Sequence, residues 1–253
     1  MSEAPSATGV GALLAARRAG LESLGLVAGS SAVRFGFPVR GYARTRQPVR
    51  GSVRELKVQS QAWNRARKRV LDRLRADAHA RGASTVVGVS LRRVEREWGT
   101  HVVELLALGT AVSSPDIQRP RRARDVALAS LPAADVLKLL EAGWRPVDLA
   151  GGSTVVYVAA GAVDGGPWAV RSRERGDFTR GLDKARARVM ELLQAEAEAV
   201  GAEGVVALEL DRHVHPHEEE GRRDLVVTLH ALATAIGPRG GHISRPELAL
   251  ELR

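Results

Sequence analysis

Hydrophobic positions along this chain follow two periods, and the two alternate twice. Between residues 57 and 81, Trp63, Ala66, Val70, Leu74 and Ala78 return every three or four residues, which gathers them on one face of an α-helix. Arg65, Arg69, Asp72 and Arg73 fall elsewhere, so the pattern predicts a long helix with one packed face and one wet face. Residues 179–200 repeat it with Leu182, Ala185, Val189, Leu193 and Ala197. Gly82 and Gly201 end these helices, glycine being the residue that closes a helix in the left-handed conformation. Strands are predicted before the helices, at 24 to about 35 and 147 to about 160, immediately after them, and again at 101–112 and 224–236. A short helix ending at Gly20 or Gly143 opens each series, which therefore reads α-β-α-β-β.

The two series look like one unit written twice. At an offset of 119, Arg69, Val70, Leu74, Gly82, Val86 and Leu91 meet Arg188, Val189, Leu193, Gly201, Val205 and Leu210. Upstream the offset is 123, pairing Leu26, Gly29 and Ser30 with Leu149, Gly152 and Ser153, and downstream it is 124, pairing Leu108 and Thr110 with Leu232 and Thr234. Offsets that drift between blocks place the insertions in loops. The expected fold is α+β, two tandem copies at 10–115 and 128–237, each a small antiparallel sheet packed by one long helix. A basic linker at 116–127 joins them and a tail at 238–253 follows. The strands at 102–112 and 225–236 are apolar on both faces, so something is expected to cover the second face, either the other copy or another chain.

Composition narrows the chemistry. With no cysteine, disulfides, thiolate metal sites and cysteine nucleophiles are excluded. No apolar run approaches the ~20 residues of a spanning helix, and the N-terminus lacks the order of charges in a secretion signal, so no membrane is expected and the chain reads as cytoplasmic. Residues 1–125 hold 23 Lys and Arg against 10 Asp and Glu, whereas 126–253 hold 15 against 19. The basic half suits an anionic partner.

The segments 55–61, 78–89 and 108–112, with 197–206 and 232–236 in the second series, resemble the YbjQ-like heavy-metal-binding family, as do the Ala-Gly-x-x-x-(Leu/Val)-x-Leu-x-x-Gly-Ser blocks at 19–30 and 142–153. The resemblance implies a dodecin-like α+β domain in tandem, and a homo-oligomer built as a pentamer-like ring of such domains. It also implies a divalent transition metal, without a ligand set that maps onto this chain.

The local metal-like motif is His213, His215 and His217 with the carboxylates at 218–220. In an extended chain the three imidazoles point to one side and suit zinc, nickel or copper. The competing reading is a solvated hairpin loop. Gly29 and Ser30, with Gly152 and Ser153, are candidates for holding an anion or ligand on backbone amides, against a bulge or close backbone approach within a strand. Arg65, Lys68, Arg69 and Arg73, with Arg67 and Arg75 counted on the same basic helix face, form a candidate phosphate-binding surface for nucleic acid, against an ordinary charged helix face. Trp63 reads as a packing residue and His230 as an isolated histidine. No acid-base pair suggests an enzyme. The leading expectation is a non-enzymatic oligomer that binds a metal or small ligand at subunit junctions. The alternative is a nucleic-acid or protein-binding scaffold using the Arg-rich first half.

Overall fold

The computed structural model describes residues 17, 20–34, 49, 51–95, 102–113, 120–159, 175–219 and 222–239. In chain order these hold β1 (Glu22–Arg34), β2 (Val53–Glu55), α1 (Lys57–Ala80), β3 (Thr85–Glu95), β4 (Val102–Ser113), β5 (Ala127–Leu128), α2 (Ala133–Glu141), β6 (Trp144–Val158), α3 (Gly176–Ala199), β7 (Gly204–Glu219) and β8 (Arg222–Pro238). The fold is mixed α+β. The first sheet has the order β1-β4-β3-β5 and the second β2-β6-β8-β7. Pairing is antiparallel except between β3 and β5.

Each long helix lies on the face of the sheet beside it in sequence. The stripe Trp63, Ala66, Val70, Leu74 and Ala78 packs on Val27, Leu105, Ala107 and Ala111 of the first sheet. On the second, Ala185, Val189, Leu193 and Ala197 meet Ala150, Val156, Val227, Leu229, Ala231 and Ala233. Residues of β6 on the opposite face, Leu149, Val155 and Tyr157, join the core around α1 instead, together with Leu232 of β8. The layers therefore run first sheet, α1, second sheet, α3, with α1 packed on both sides.

Two short strands tie the halves together in a way the periodicity did not anticipate. β2, which leads into α1, pairs with β6 of the second sheet, Arg54 opposite Tyr157. β5 follows a 3-10 turn at Ala123–Asp125 and lies along β3. Ala129 N–H then donates to the Val86 carbonyl, and the amides of Val89 and Gly88 donate to the carbonyls of Ala129 and Leu131. The end of the expected linker is thus part of the first sheet. Strands of two and three residues carry no period, and their stability comes from the ladder they join.

Both faces of β8 are buried over most of its length, as its two-sided apolar pattern required. β4 differs: Leu105, Ala107, Gly109 and Ala111 are buried under α1, while Glu104, Leu106, Leu108 and Thr110 on its other face remain half-exposed. β3 and β7 share a bulge, a register shift between Val87 and Ser90 and between Val206 and Glu209, with Gly88 at φ 62° and Ala207 at φ 53°. β8 runs on to Pro238, past the expected start of the tail. The short helix before Gly20 falls largely outside the described residues.

Candidate functional site

The second face of α1 is built to close the open edge of β6. β2 covers that edge from Val156 to Val158, and beyond it side chains take over. The Ser60 hydroxyl accepts from the Val155 amide at 3.0 Å, and the Asn64 carboxamide donates to the Ser153 carbonyl and accepts from its amide, both at 2.9 Å. Arg67 donates to the Gly151 carbonyl at 2.9 Å and to Glu196 of α3 at 2.5 and 2.9 Å. Glu196 in turn accepts from the Gly151 amide at 3.1 Å. Two turns on, Arg75 donates to both oxygens of Asp148 at 2.6 Å. Burial pushes the Asp148 carboxyl above the usual carboxylate range, outweighing the pull of Arg75 in the other direction. An edge strand satisfied in this way has no unpaired ladder to offer water or another chain.

Beside these contacts lies a cavity of about 90 Å³ with walls from both halves. Trp63, Leu91, Arg93 and Leu105 come from one side, Ser153, Glu209, Asp211, His230 and Leu232 from the other. His230 is its centre. Its Nδ1 meets the Ser153 hydroxyl at 2.8 Å, its ring stands edge-on to Trp63 at 4.8 Å, and its Nε2 is buried with no hydrogen-bond partner among the described residues. Arg93 lies over the Trp63 ring, 5.4 Å from its centroid. Burial, with Arg93 nearby, lowers the His230 pKa to about 4, although Asp211 pulls the other way. The imidazole is therefore neutral at physiological pH.

A titration follows from this. The unfolded chain takes up the His230 proton near 6.5 and the folded chain only near 4, so this contribution to stability is full above pH 6.5 and drains as pH falls through that window, by up to about 3 kcal/mol. Thermal unfolding between pH 7 and 4.5 should show a steeper fall for the wild type than for His230→Gln. Parallel curves would mean that His230 carries no such shift.

The residues singled out from sequence are distributed differently. Gly29 and Gly152 lie under helices: a Cβ on Gly29 would collide with the Val70 carbonyl oxygen and stand 2.7 Å from the Leu74 nitrogen, and one on Gly152 would stand 2.6 Å from Leu192 Cβ. Close approach of helix to strand is the reason for both glycines, and the ladder passes through them without a shift. Ser30 offers its carbonyl to Arg73, and Ser153 gives its amide to Asn64 and its hydroxyl to the cavity wall. Arg65, Lys68 and Arg69 are exposed on α1. Arg67 and Arg75 leave that basic face: they are 6% and 9% exposed and join the halves. Buried arginines at helical spacing look like solvated ones in sequence, because their partners Glu196 and Asp148 are distant in the chain.

His213, His215 and His217 sit on the extended β7 and not in a loop. They share one face of the strand at a spacing of about 7 Å. His213 engages Asp211 at 2.7 Å, and the His217 ring stands edge-on to Tyr157. Among the described residues no three His, Asp or Glu side chains gather as a metal site. No helix among the described residues is long and apolar enough to cross a membrane.

Comparison with known proteins places the chain. A family profile described as "Putative heavy-metal-binding", of the YbjQ type, matches residues 19–114, which span β1 to β4. The encapsulin nanocompartment protein Rv1762c of Mycobacterium tuberculosis is 35% identical over 196 residues, 75% of this chain and 71% of that protein. The chain belongs to the family of that mycobacterial protein, and its first half matches the YbjQ-type profile.

Proposed function

We propose that the chain is a non-catalytic, self-assembling tandem protein that binds a small molecule in the cavity between its two copies. The copies are those of the sequence reading, 10–115 and 128–237, arranged as units of a ring-like homo-oligomer. The two-copy reading is supported by the matching bulges at Gly88 and Ala207, and by the same helix-to-strand contact in each half: Ala28 N–H donates to Asp77 at 3.1 Å as Gly151 N–H donates to Glu196. The observation that carries the ligand reading is the buried, unpartnered Nε2 of His230 in a cavity whose apolar wall is Trp63, Leu91, Leu105 and Leu232 and whose polar rim holds Arg93, Ser153, Glu209 and Asp211. An unpaired buried imidazole nitrogen costs about 1–3 kcal/mol, which a ligand with a hydrogen-bonding group and an apolar body recovers. A neutral His230 selects an uncharged partner group. The name of the mycobacterial relative ties that protein to an encapsulin nanocompartment, and we extend that association to this chain.

The test is a thermal-shift screen of small neutral heterocycles and amides against the wild type and Leu232→Trp, which fills the cavity. Compounds that stabilise the wild type by several degrees, on the order of RT ln(1 + [L]/Kd) in free energy, should leave the filled variant unmoved. Equal shifts in both proteins, or none in either, would remove the cavity as the site.

A further inference from the structure

The contact between α1 and the second sheet runs one way. The second face of the first long helix is used on the second sheet, while the corresponding face of the second long helix and the corresponding face of the first sheet have no partner among the described residues. The exposed apolar residues record this asymmetry. Seven large hydrophobic side chains are exposed among the described residues; three of them, Leu26, Met190 and Leu210, have at the sequence offsets a counterpart buried or packed where the halves join, and two more, Val205 and Leu208, have counterparts buried within the first half. Leu26 is 50% exposed on β1, and its counterpart Leu149 is 4% exposed against α1. Met190 on α3 corresponds to Leu71, 3% exposed against the second sheet. Leu210 corresponds to Leu91, which packs on the central core. Val205 and Leu208 correspond to Val86 and Val89, covered along β3 by the segment around β5. The half-exposed Leu106 and Leu108 of β4 correspond to His230 and Leu232, which face α1.

The polar groups match in part, Asp183 being able to accept from the Ser30 amide while the Ser30 carbonyl is taken by Arg73. Arg67, which reaches Glu196 and the Gly151 carbonyl, corresponds to the exposed Arg186, and its two targets correspond to Asp77 and the backbone of Ala28. Asp77 already accepts from the Ala28 amide, as Glu196 does from Gly151. Asn64, which closes the edge at Ser153, corresponds to the exposed Asp183, and Ser153 to Ser30.

Resting on the two-copy reading above, we infer that the outer face of α3 (Met190, Arg186, Asp183) docks on the outer face of the first sheet (Leu26, Ala28, Leu106, Leu108) of a second copy of this chain. The junction inside the chain is thereby repeated between chains. Such a contact is heterologous: each copy uses one face as donor and the other as acceptor, so the assembly closes into a ring or grows as a filament. The intermolecular junction differs from the internal one in its cavity wall. Leu106 stands for His230 and Arg92 for Asp211, so the ligand cavity proposed above belongs to the internal junction.

Two experiments test the docking. Met190→Glu sets a charge in the new apolar contact and should weaken assembly by roughly 100-fold or more in light scattering, while Val58→Asp, at an exposed residue with no buried counterpart, should leave assembly intact. Both variants should melt like the wild type at low concentration. Because the chain has no cysteine, paired cysteines report without background. Asn64→Cys with Ser153→Cys should close within one chain, and Asp183→Cys with Ser30→Cys should give a ladder of linked chains on oxidation. A wild type that stays monomeric at the highest concentration reached, or an outer pair that never links chains while the inner pair closes, overturns the docking and leaves the two-copy reading standing. An experimental structure in which residues 22–113 and 144–236 fail to superpose removes the two-copy reading itself.

Discussion

Gly29→Val should cost about 3 kcal/mol or more, lowering the melting temperature by about 10 °C, because the obstacle is backbone. A side chain at this position meets the Val70 carbonyl oxygen and the Leu74 nitrogen, in the middle of α1. Neither can rotate away. The helix must lift from β1, which opens the contact between Val27 and the stripe of Val70 and Leu74, all of them within 1% of full burial. A helix packed on both sides cannot lift freely, since moving off the first sheet drives it into the second. Gly204→Ala is the contrasting case, with its nearest neighbour the Ile236 side chain at 3.7 Å. It should be neutral or stabilise by up to about 1 kcal/mol through the unfolded chain. Thermal melts of the two variants side by side check both statements, and a Gly29→Val protein that melts like the wild type would contradict the close approach.

The second large effect is expected at Arg75. Its side chain is 10% exposed and that of Asp148 is 19% exposed, so Arg75→Leu strands a carboxylate in a place water reaches poorly. Breaking a buried pair from one side typically costs 3–5 kcal/mol. Here the low end applies, because burial already raises the Asp148 pKa and the group can take up a proton instead of staying charged. About 3 kcal/mol is expected at pH 7, shrinking as pH falls toward the raised pKa. The double variant Arg75→Leu with Asp148→Leu should recover most of the loss. A double variant no better than the single one would place the role of Arg75 in packing along its stem, not in the ion pair.

What could be read in advance divides by whether the signal was local. The stripe from Trp63 to Ala78 and its counterpart from Leu182 to Ala197 are written within one helix each, and both helices appear within three residues of the expected bounds. The α+β class followed from that. The crossing strands β2 and β5 are too short to have a period and exist through partners about 40 to 105 residues away. Arg67 and Arg75 were assigned to a wet face because the helix was expected to pack on one side only, and nothing local distinguishes a second buried face made of Ser60, Asn64 and arginine. His230 reads as isolated in sequence because Ser153 and Trp63, which define its surroundings, lie far along the chain. The two-sided apolar pattern of β4 and β8 did ask for a cover. Only β8 obtains it within the described chain.

The strand β2 also has a consequence for how the protein is made. When Val53–Glu55 leaves the ribosome its partner β6, ending at Val158, is still on the order of 100 residues from synthesis, about 5–20 s at ordinary translation rates. During that interval the nascent first half carries a bare strand and an uncovered second face on α1, with no completed neighbour to shield them. A gene fragment ending near residue 116 would hold that state permanently, and its product is expected in the insoluble fraction.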